Sequence, residues 1–307
     1  MRRDARGVGR LVWAALAAGC ILASAGCGSA AGTGGGTARS GPINVVAGEN
    51  FWGNITSQIG GSHVKVTSII ADPNDDPHSY EADPTDAAAM AGARFVIENG
   101  VGYDDFVSKL VSTAGGSKQV LNVQRLVGVS GDDPNPHLWY SPTYVTEAAQ
   151  AIEKQLASDD SASAPTFRAN LTAFLTAYQP YLDIIKKIKA RYGGEAISFT
   201  ERVPGYLVDA AGLHLGTPAT FSQAVEDGTD PTPQDTAAFN ADLKERKVKV
   251  LLYNAQVADS QTTEIKKMAT GAGVPIVGVS ETIPRQYQTF QAWQIAQAQA
   301  LLAALGG

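Results

Sequence analysis

Cysteine and histidine are scarce in this chain: two cysteines and four histidines among 307 residues. Both cysteines, Cys20 and Cys27, sit at the extreme N-terminus. The body therefore has no thiol from which to build a disulfide framework or a thiolate zinc site. A basic excess is missing as well. Lysine and arginine total 24 against 30 acidic residues, a formal net charge of −6, which excludes the basic face that nucleic-acid binding needs. The apolar stretch from Leu11 to Ala25 is too short for a comfortable membrane span. No nucleophile elbow and no phosphate-cradling glycine loop occurs. A body without disulfides must be held by an ordinary core, and about 265 residues can supply one such core or two smaller ones.

What is present begins with a targeting segment. Arg2, Arg3, Arg6 and Arg10 make a positive start to an apolar run that ends in Ser24-Ala25-Gly26-Cys27. Small residues before a cysteine resemble a lipoprotein signal, with residues 1–26 removed and Cys27 lipidated. Cys20, after Ala-Ala-Gly, is the rival position; a plain secretory signal or an uncleaved anchor is the bland alternative. Removal of residues 1–26 takes away a net +3 and leaves the mature chain near −9. Residues 27–42, rich in glycine, serine, alanine and threonine, read as a flexible tether. Together these features predict a monomeric soluble domain anchored at the outer face of a cell membrane.

The body alternates strand-like and helix-like segments. Ile43–Ala47, Val64–Ile70, Arg94–Glu98 and Gln119–Val123 read as strands in the first half. Pro84–Ala91, Tyr103–Ser112 and Pro142–Leu156 read as helices, the last entered from Ser141 as N-cap. From Ala164 to Tyr192, apolar residues recur at three- and four-residue steps, which predicts one long helix. Pro180 should kink or split it, and Gly193-Gly194 should end it. The second half repeats the plan. Glu195–Thr200, Val248–Tyr253 and Val274–Val279 are strand candidates; Ala237–Arg246, Ser260–Thr270 and Tyr287–Leu305 are helix candidates. The expected fold is α/β: an N-terminal lobe over 43–158 and a C-terminal lobe over 193–307, each with a mostly parallel sheet, joined by a bridging helix at 159–192.

Two of the four histidines share one setting. His78 lies in Asp-Asp-Pro-His-Ser-Tyr-Glu (75–81) and His137 in Asn-Pro-His-Leu-Trp-Tyr-Ser-Pro (135–142). A preceding proline biases the backbone away from helix, so both should project from loops. In the second half, Glu201 and Glu281 follow the predicted strands at 196–200 and 274–279. Taken singly, a carboxylate at a strand end is more often an N-cap or a solvated loop charge. Taken together, four metal-capable side chains stand just past strand ends, two in each half. Ligands of open α/β sheets bind there.

These segments resemble the metal-binding solute-receptor family of zinc and manganese ABC importers. The likeness runs from about residue 43 to the C-terminus. Asp75–Asp86 is similar to the family's first-histidine segment, Ile97–Tyr103 to its next strand and Asn-Gly turn, and Asn135–Pro142 to its second-histidine segment. Ser198–Leu207 and Val274–Ile283 resemble the third- and fourth-ligand segments more loosely. The resemblance implies a two-lobed receptor that captures Mn²⁺ or Zn²⁺, with Fe²⁺ a further candidate, and delivers it to a membrane permease. It implies metal-ligand roles for His78, His137, Glu201 and Glu281, and no enzymatic activity. There are departures: Glu281 stands where the family usually has Asp, Pro204 where it usually has an aromatic residue, and the histidine-rich loop of many zinc members is missing.

Two imidazoles with two carboxylates make a harder site than three imidazoles with one, and carboxylates that bind through both oxygens allow five or six contacts. On that count Glu201 favours Mn²⁺ or Fe²⁺, although intrinsic affinity rises from manganese to zinc. Carboxylates that accept from the other ring nitrogen of each histidine are expected among Asp75, Asp76, Glu81 and Asp133. Arg202 is expected to face solvent, His63 to be exposed, and His214 to be structural. Trp139 and Tyr140 should pack beside the His137 loop. The rival functions are a metal-dependent hydrolase, with Glu281 as general base, and a surface adhesin with a structural metal.

Overall fold

The computed structural model describes residues 41–72, 80–256 and 260–307. The expected signal and tether, Cys20 and Cys27 among them, lie almost wholly outside these residues, and so does His78. In the first lobe the order is β1 (Ile43–Glu49), α1 (Asn50–Gly60), β2 (Val64–Ile70), α2 (Pro84–Gly92), β3 (Phe95–Glu98), α3 (Asp105–Thr113), β4 (Gln119–Asn122), α4 (Val123–Val127) and α5 (Pro142–Asp159). The long helix α6 (Ala164–Tyr192) follows. The second lobe has β5 (Ala196–Phe199), α7 (Gly205–Ala210), β6 (His214–Leu215), α8 (Ala219–Glu226), α9 (Pro233–Lys244), β7 (Leu251–Asn254), α10 (Ser260–Ala272), β8 (Ile276–Val279) and α11 (Phe290–Ala304).

Each lobe is built on a four-stranded sheet, β2-β1-β3-β4 in the first and β6-β5-β7-β8 in the second. Every pairing is parallel. The two sheets share one topology: the second strand lies outside the first, and the order reverses between the first and third. The strands read as parallel strands should. β1 is buried at six of its seven positions, and β3 and β7 throughout, because helices cover both faces. β2, at a sheet edge, alternates half-buried and exposed positions from Val64 to Ser68 and ends on two buried residues, Ile69 and Ile70.

Local chemistry sets the helix starts. α2 opens with a capping box in which the Asp83 side chain accepts from Thr85 and Asp86 backbone N–H groups and Asp86 accepts from that of Asp83. Ser141 caps α5 ahead of Pro142. α6 buries Phe167, Phe174, Tyr178, Tyr181, Ile185 and Ile188 along one stripe. It runs unbroken through Pro180 to Gly193; Pro180 does not split it, because packing along that stripe outweighs one missing hydrogen bond. A single apolar cluster reaches from β1 and α1 through α5 and α6 to Val277, Val279 and α11, so both sheets pack against the same central helices. Smaller clusters fill the outer faces of the two lobes. Among the described residues no helix is long and apolar enough to cross a membrane.

α1 has no helical signature beyond Phe51, Trp52, Ile55 and Ile59, all fully buried, each contributing about 1.5–3 kcal/mol. Its other face joins the lobes. Asn50 Nδ2 donates to Ile283 O at 3.1 Å, and its Oδ1 accepts from Ile283 N at 2.9 Å. Asn54 pairs in the same way with Gln288 O and Phe290 N, and Gln58 with the Gln291 side chain. The i, i+4, i+8 spacing places all three amides on one stripe.

Candidate metal centre

His78 lies outside the described residues, which resume at Tyr80. The Tyr80 ring tilts against Phe106 at 5.0 Å, and its hydroxyl donates to Asp86 Oδ2 at 2.8 Å. The other three expected ligands are all buried: His137 and Glu281 at 0% exposure and Glu201 at 2%.

His137 precedes a single 3₁₀ turn, Leu138–Tyr140. Trp139 holds that turn in the core by stacking on Phe51 at 4.0 Å. Trp139 also lies edge-on to the imidazole at 5.2 Å. Asn135 orients the ring: its Oδ1 is 2.7 Å from His137 Nδ1 and also accepts from the His137 backbone N–H. An amide oxygen can only accept, so Nδ1 carries the proton and Nε2 is the nitrogen with the lone pair. The Asn135 Nδ2 donates to Arg202 O at 2.8 Å, next to Glu201. A Cβ at position 205 would come 2.6 Å from that Nδ2, so Gly205 lets the two loops meet. Asn135, which sequence reasoning passed over in favour of acidic neighbours, thus ties a first-lobe imidazole to a second-lobe carboxylate loop.

Glu201 follows β5, and Glu281 follows β8 by two residues. Asn254, the last residue of β7, lies between them. Its Nδ2 donates to Glu201 Oε2 at 2.9 Å and to Glu281 Oε1 at 2.8 Å. Gln256 fixes the Glu281 backbone: its Oε1 accepts from Glu281 N and Thr282 N. The Tyr103 hydroxyl donates to Glu281 Oε2 at 2.9 Å. Burial and then the Glu281 charge push the Tyr103 hydroxyl well above its ordinary range, so it stays a donor. His137 Nε2 is 3.8 Å from Glu281 Oε2. Two donors held about 2.1 Å from one ion lie at most about 4.2 Å apart, so this pair is spaced to share one. Glu201 joins through Asn254. Among the described residues no group of three His, Cys, Asp or Glu side chains is close enough to hold an ion.

Tyr103 is held by an unusual turn. Gly100, Val101 and Gly102 all have positive φ, at 81°, 62° and 73°. For valine this is costly, about 1–2 kcal/mol. The turn is held in place by Asp104, whose carboxylate accepts from Asn99 N at 2.6 Å and Gly100 N at 2.8 Å, and by Gln124, which accepts from Val101 N at 2.7 Å. Asp104 faces Glu49 at the end of β1, and both are buried. Burial is the main cause that raises Glu49 well above the usual carboxylate range and Asp104 to about 7. The two backbone N–H groups favour charge on Asp104, and that charge is the next cause, after burial, that raises Glu49.

Two expectations fail here. Arg202 does not face solvent: its guanidinium donates to Asp133 Oδ2 at 2.7 Å and to Glu226 Oε1 at 2.8 Å. Asp133 is therefore bound to Arg202, and Asn135 takes the place expected of it beside His137. His63 is half-buried, 2.9 Å from Ser163 Oγ and edge-on to Phe167. His214 lies on β6, exposed, and Trp139 and Tyr140 pack beside the His137 loop as expected.

The fold and this crevice define a two-lobed α/β binding protein with an imidazole–carboxylate site between parallel sheets. The family described as ZnuA, zinc-uptake complex component A, periplasmic, matches residues 45–304, and the chain belongs to it. The iron ABC transporter substrate-binding lipoprotein MtsA of Streptococcus pyogenes is 25% identical over 263 residues, covering 80% of this chain and 81% of that protein. The manganese-binding lipoprotein MntA of Halalkalibacterium halodurans is 26% identical over 232 residues, covering 67% and 73%. A crystal structure of ZnuA superposes with a TM-score of 0.71 at 20% identity, covering 86% of this chain and 99% of that one. A Mn-bound periplasmic metal-binding protein from Candidatus Liberibacter asiaticus superposes at 0.68 with 19% identity, covering 85% and 98%. At these identities the superpositions support the fold alone.

Proposed function

We propose that this protein is the extracytoplasmic receptor of an ABC importer, capturing Zn²⁺ or Mn²⁺ (Fe²⁺ being the third candidate) as cargo and handing it to a membrane permease. His78, His137, Glu201 and Glu281 are the proposed ligands. The observation that carries this reading is the convergence of His137, Glu201 and Glu281 in one buried hydrogen-bonded network. Burying two carboxylates beside an imidazole costs several kcal/mol unless a charge partner compensates, and a divalent cation supplies that partner. Cargo binding and release require no bond to be made or broken in a substrate, so this reading is of a binding protein. Lipidation at Cys27 would keep the receptor at the outer face of the membrane, within reach of its permease.

Calorimetric titration of the metal-free protein with Zn²⁺ and Mn²⁺ tests the site. Each of His137→Ala and Glu201→Ala should weaken binding by more than about 100-fold. Unchanged affinity in either variant sinks the ligand assignment. Cys27→Ser should move the protein from the membrane fraction to the soluble fraction.

A further inference from the structure

Arg202 follows Glu201 directly, and its guanidinium is fully engaged. Nε donates to Glu226 Oε2 at 3.1 Å and Nη2 to Glu226 Oε1 at 2.8 Å. Nη1 donates to Asp133 Oδ2 at 2.7 Å and to Asp133 O at 3.3 Å, and Nη2 to Asp133 Oδ1 at 3.2 Å. These contacts use every N–H bond of the group. The Arg202 backbone N–H also donates to Glu226 Oε2 at 3.1 Å, so one carboxylate fixes both backbone and side chain. Glu226 ends α8, where the helix dipole disfavours an anion, and its side chain is only 2% exposed. Arg202 compensates that buried charge.

The two arms of this network differ. Glu226 belongs to the same lobe as Arg202. Asp133 stands in the first-lobe loop that carries His137, and its side chain is 47% exposed. The guanidinium thus joins the lobes. Two further contacts follow the same line: the Arg202 carbonyl accepts from Asn135 Nδ2, and the Tyr206 hydroxyl donates to Asn135 O at 2.9 Å. Asn135 is also the residue that orients the His137 ring. The seam between the lobes on α1 is carried by neutral amides instead. The seam beside the His137 and Glu201 loops is charged, and a half-exposed ion pair is open to screening by salt.

We propose that Arg202 is a positioning residue for cargo: seated on Glu226, it clamps the His137 loop through Asp133 and so slows release of the bound ion. This inference rests on the assignment of His137 and Glu201 as ligands. The donors of Arg202 are all engaged, so it acts through the two loops and not on the ion. Arginine suits the task because its planar fork holds two carboxylates at once, which a lysine ammonium does not reproduce. Removing the Asp133 charge frees the loops without stranding a buried anion, since Glu226 keeps its partner.

The test follows Zn²⁺ release from the purified full chain into excess chelator by stopped flow, in the parent and in Asp133→Asn. Rates are read in about 0.01 M and about 1 M sodium nitrate, where charges act over roughly 30 Å and roughly 3 Å. At low salt the variant should release Zn²⁺ about fivefold faster, the scale of a partly exposed ion pair, and at high salt the two rates should converge. A difference below about twofold at low salt, or one that high salt leaves unchanged, overturns the proposal. A merely structural role would lower the unfolding temperature and leave the two release rates in the same ratio at both salts. Arg202→Lys gives an independent reading should Asp133→Asn fail to fold. It keeps a cation against Glu226 but loses the fork, so it too should release faster at low salt, and release at the parent rate overturns the proposal. If the parent binds neither Zn²⁺ nor Mn²⁺, the receptor reading falls and takes this inference with it. If the parent binds and Asp133→Asn releases at the parent rate, the receptor reading stands and only the clamp is lost.

Discussion

The two lobes have the same strand order but spend their strand ends differently. In the second lobe, β5, β7 and β8 lead straight to Glu201, Asn254 and Glu281, and all three side chains enter the crevice. In the first lobe, the end of β1 is Glu49, which is buried against Asp104. The end of β3 leads into the left-handed turn at 100–102. Neither delivers a proposed ligand; they brace Tyr103, which reaches across to Glu281. The His137 imidazole comes from a loop far from any strand end, and it needs Trp139, Phe51 and Asn135 to place it. The same scaffold can thus position a donor rigidly on a strand or build a packed loop to do so.

The contrast can be broken most severely at Trp139. Trp139→Ala removes a fully buried side chain from the stack on Phe51 and should cost about 3–5 kcal/mol, read by chemical or thermal unfolding. A loss below about 1 kcal/mol would mean that the histidine loop stands without its packing. Glu281→Gln comes next. It keeps the shape but removes the charge, and metal affinity should fall by more than about 100-fold with little change in the stability of the metal-free protein. Equal affinity would separate the second-lobe strand ends from metal capture.

Asn135→Ala sharpens the comparison from the first-lobe side. It frees the His137 ring and cuts the tie to Arg202, so affinity should drop by about 10–100-fold, less than for loss of a ligand. An Asn135→Ala protein as weak as His137→Ala would make Asn135 more than a positioning group. The smallest effect concerns the acid pair. Glu49 and Asp104 have folded-state pKa values above their ordinary 4.5 and 3.8, so the folded chain holds protons that the unfolded chain releases. Their contribution is most favourable in acid and is lost as pH rises through about 7 for Asp104. Glu49→Gln removes one of these protons from the balance. It should raise the stability of the metal-free protein at pH 8 by roughly 1 kcal/mol, with the advantage shrinking toward pH 5. A pH-independent difference between variant and parent would show that Glu49 does not titrate above its ordinary range in the folded chain.

Much of the fold was legible because parallel strands buried on both faces are nearly continuous β-branched runs. Val64–Ile70 and Ala164–Tyr192 have the predicted bounds, and β1, β3, β4, β7 and β8 overlap their predicted spans. α1 escaped notice because half its surface is asparagine and glutamine that pair across to the other lobe, a partner invisible from local periodicity. Short α7 and α8 and the two-residue β6 carry too few residues for a period to emerge. Of the buried network, Glu201 and Glu281 were legible from their places after strands and His137 from its Asn-Pro-His setting, while Asn135, Tyr103 and Asn254 were not. An asparagine carries no charge and no metal-ligand signature; its role exists only once two carboxylates or an imidazole stand within 3 Å of it.

The amino-acid string alone settled the alternation of strands and helices, the repeat of one plan in two halves and the residue types able to hold a hard or borderline cation. These are properties of local pattern and side-chain chemistry, which travel with the chain whatever its partners. Folding decided which neutral amides face which carboxylate oxygens, which nitrogen of His137 bears the proton, and that Arg202 is locked between Asp133 and Glu226. Those outcomes depend on distances between residues tens to hundreds of positions apart, and hydrogen bonds that select among them operate only over about 3 Å.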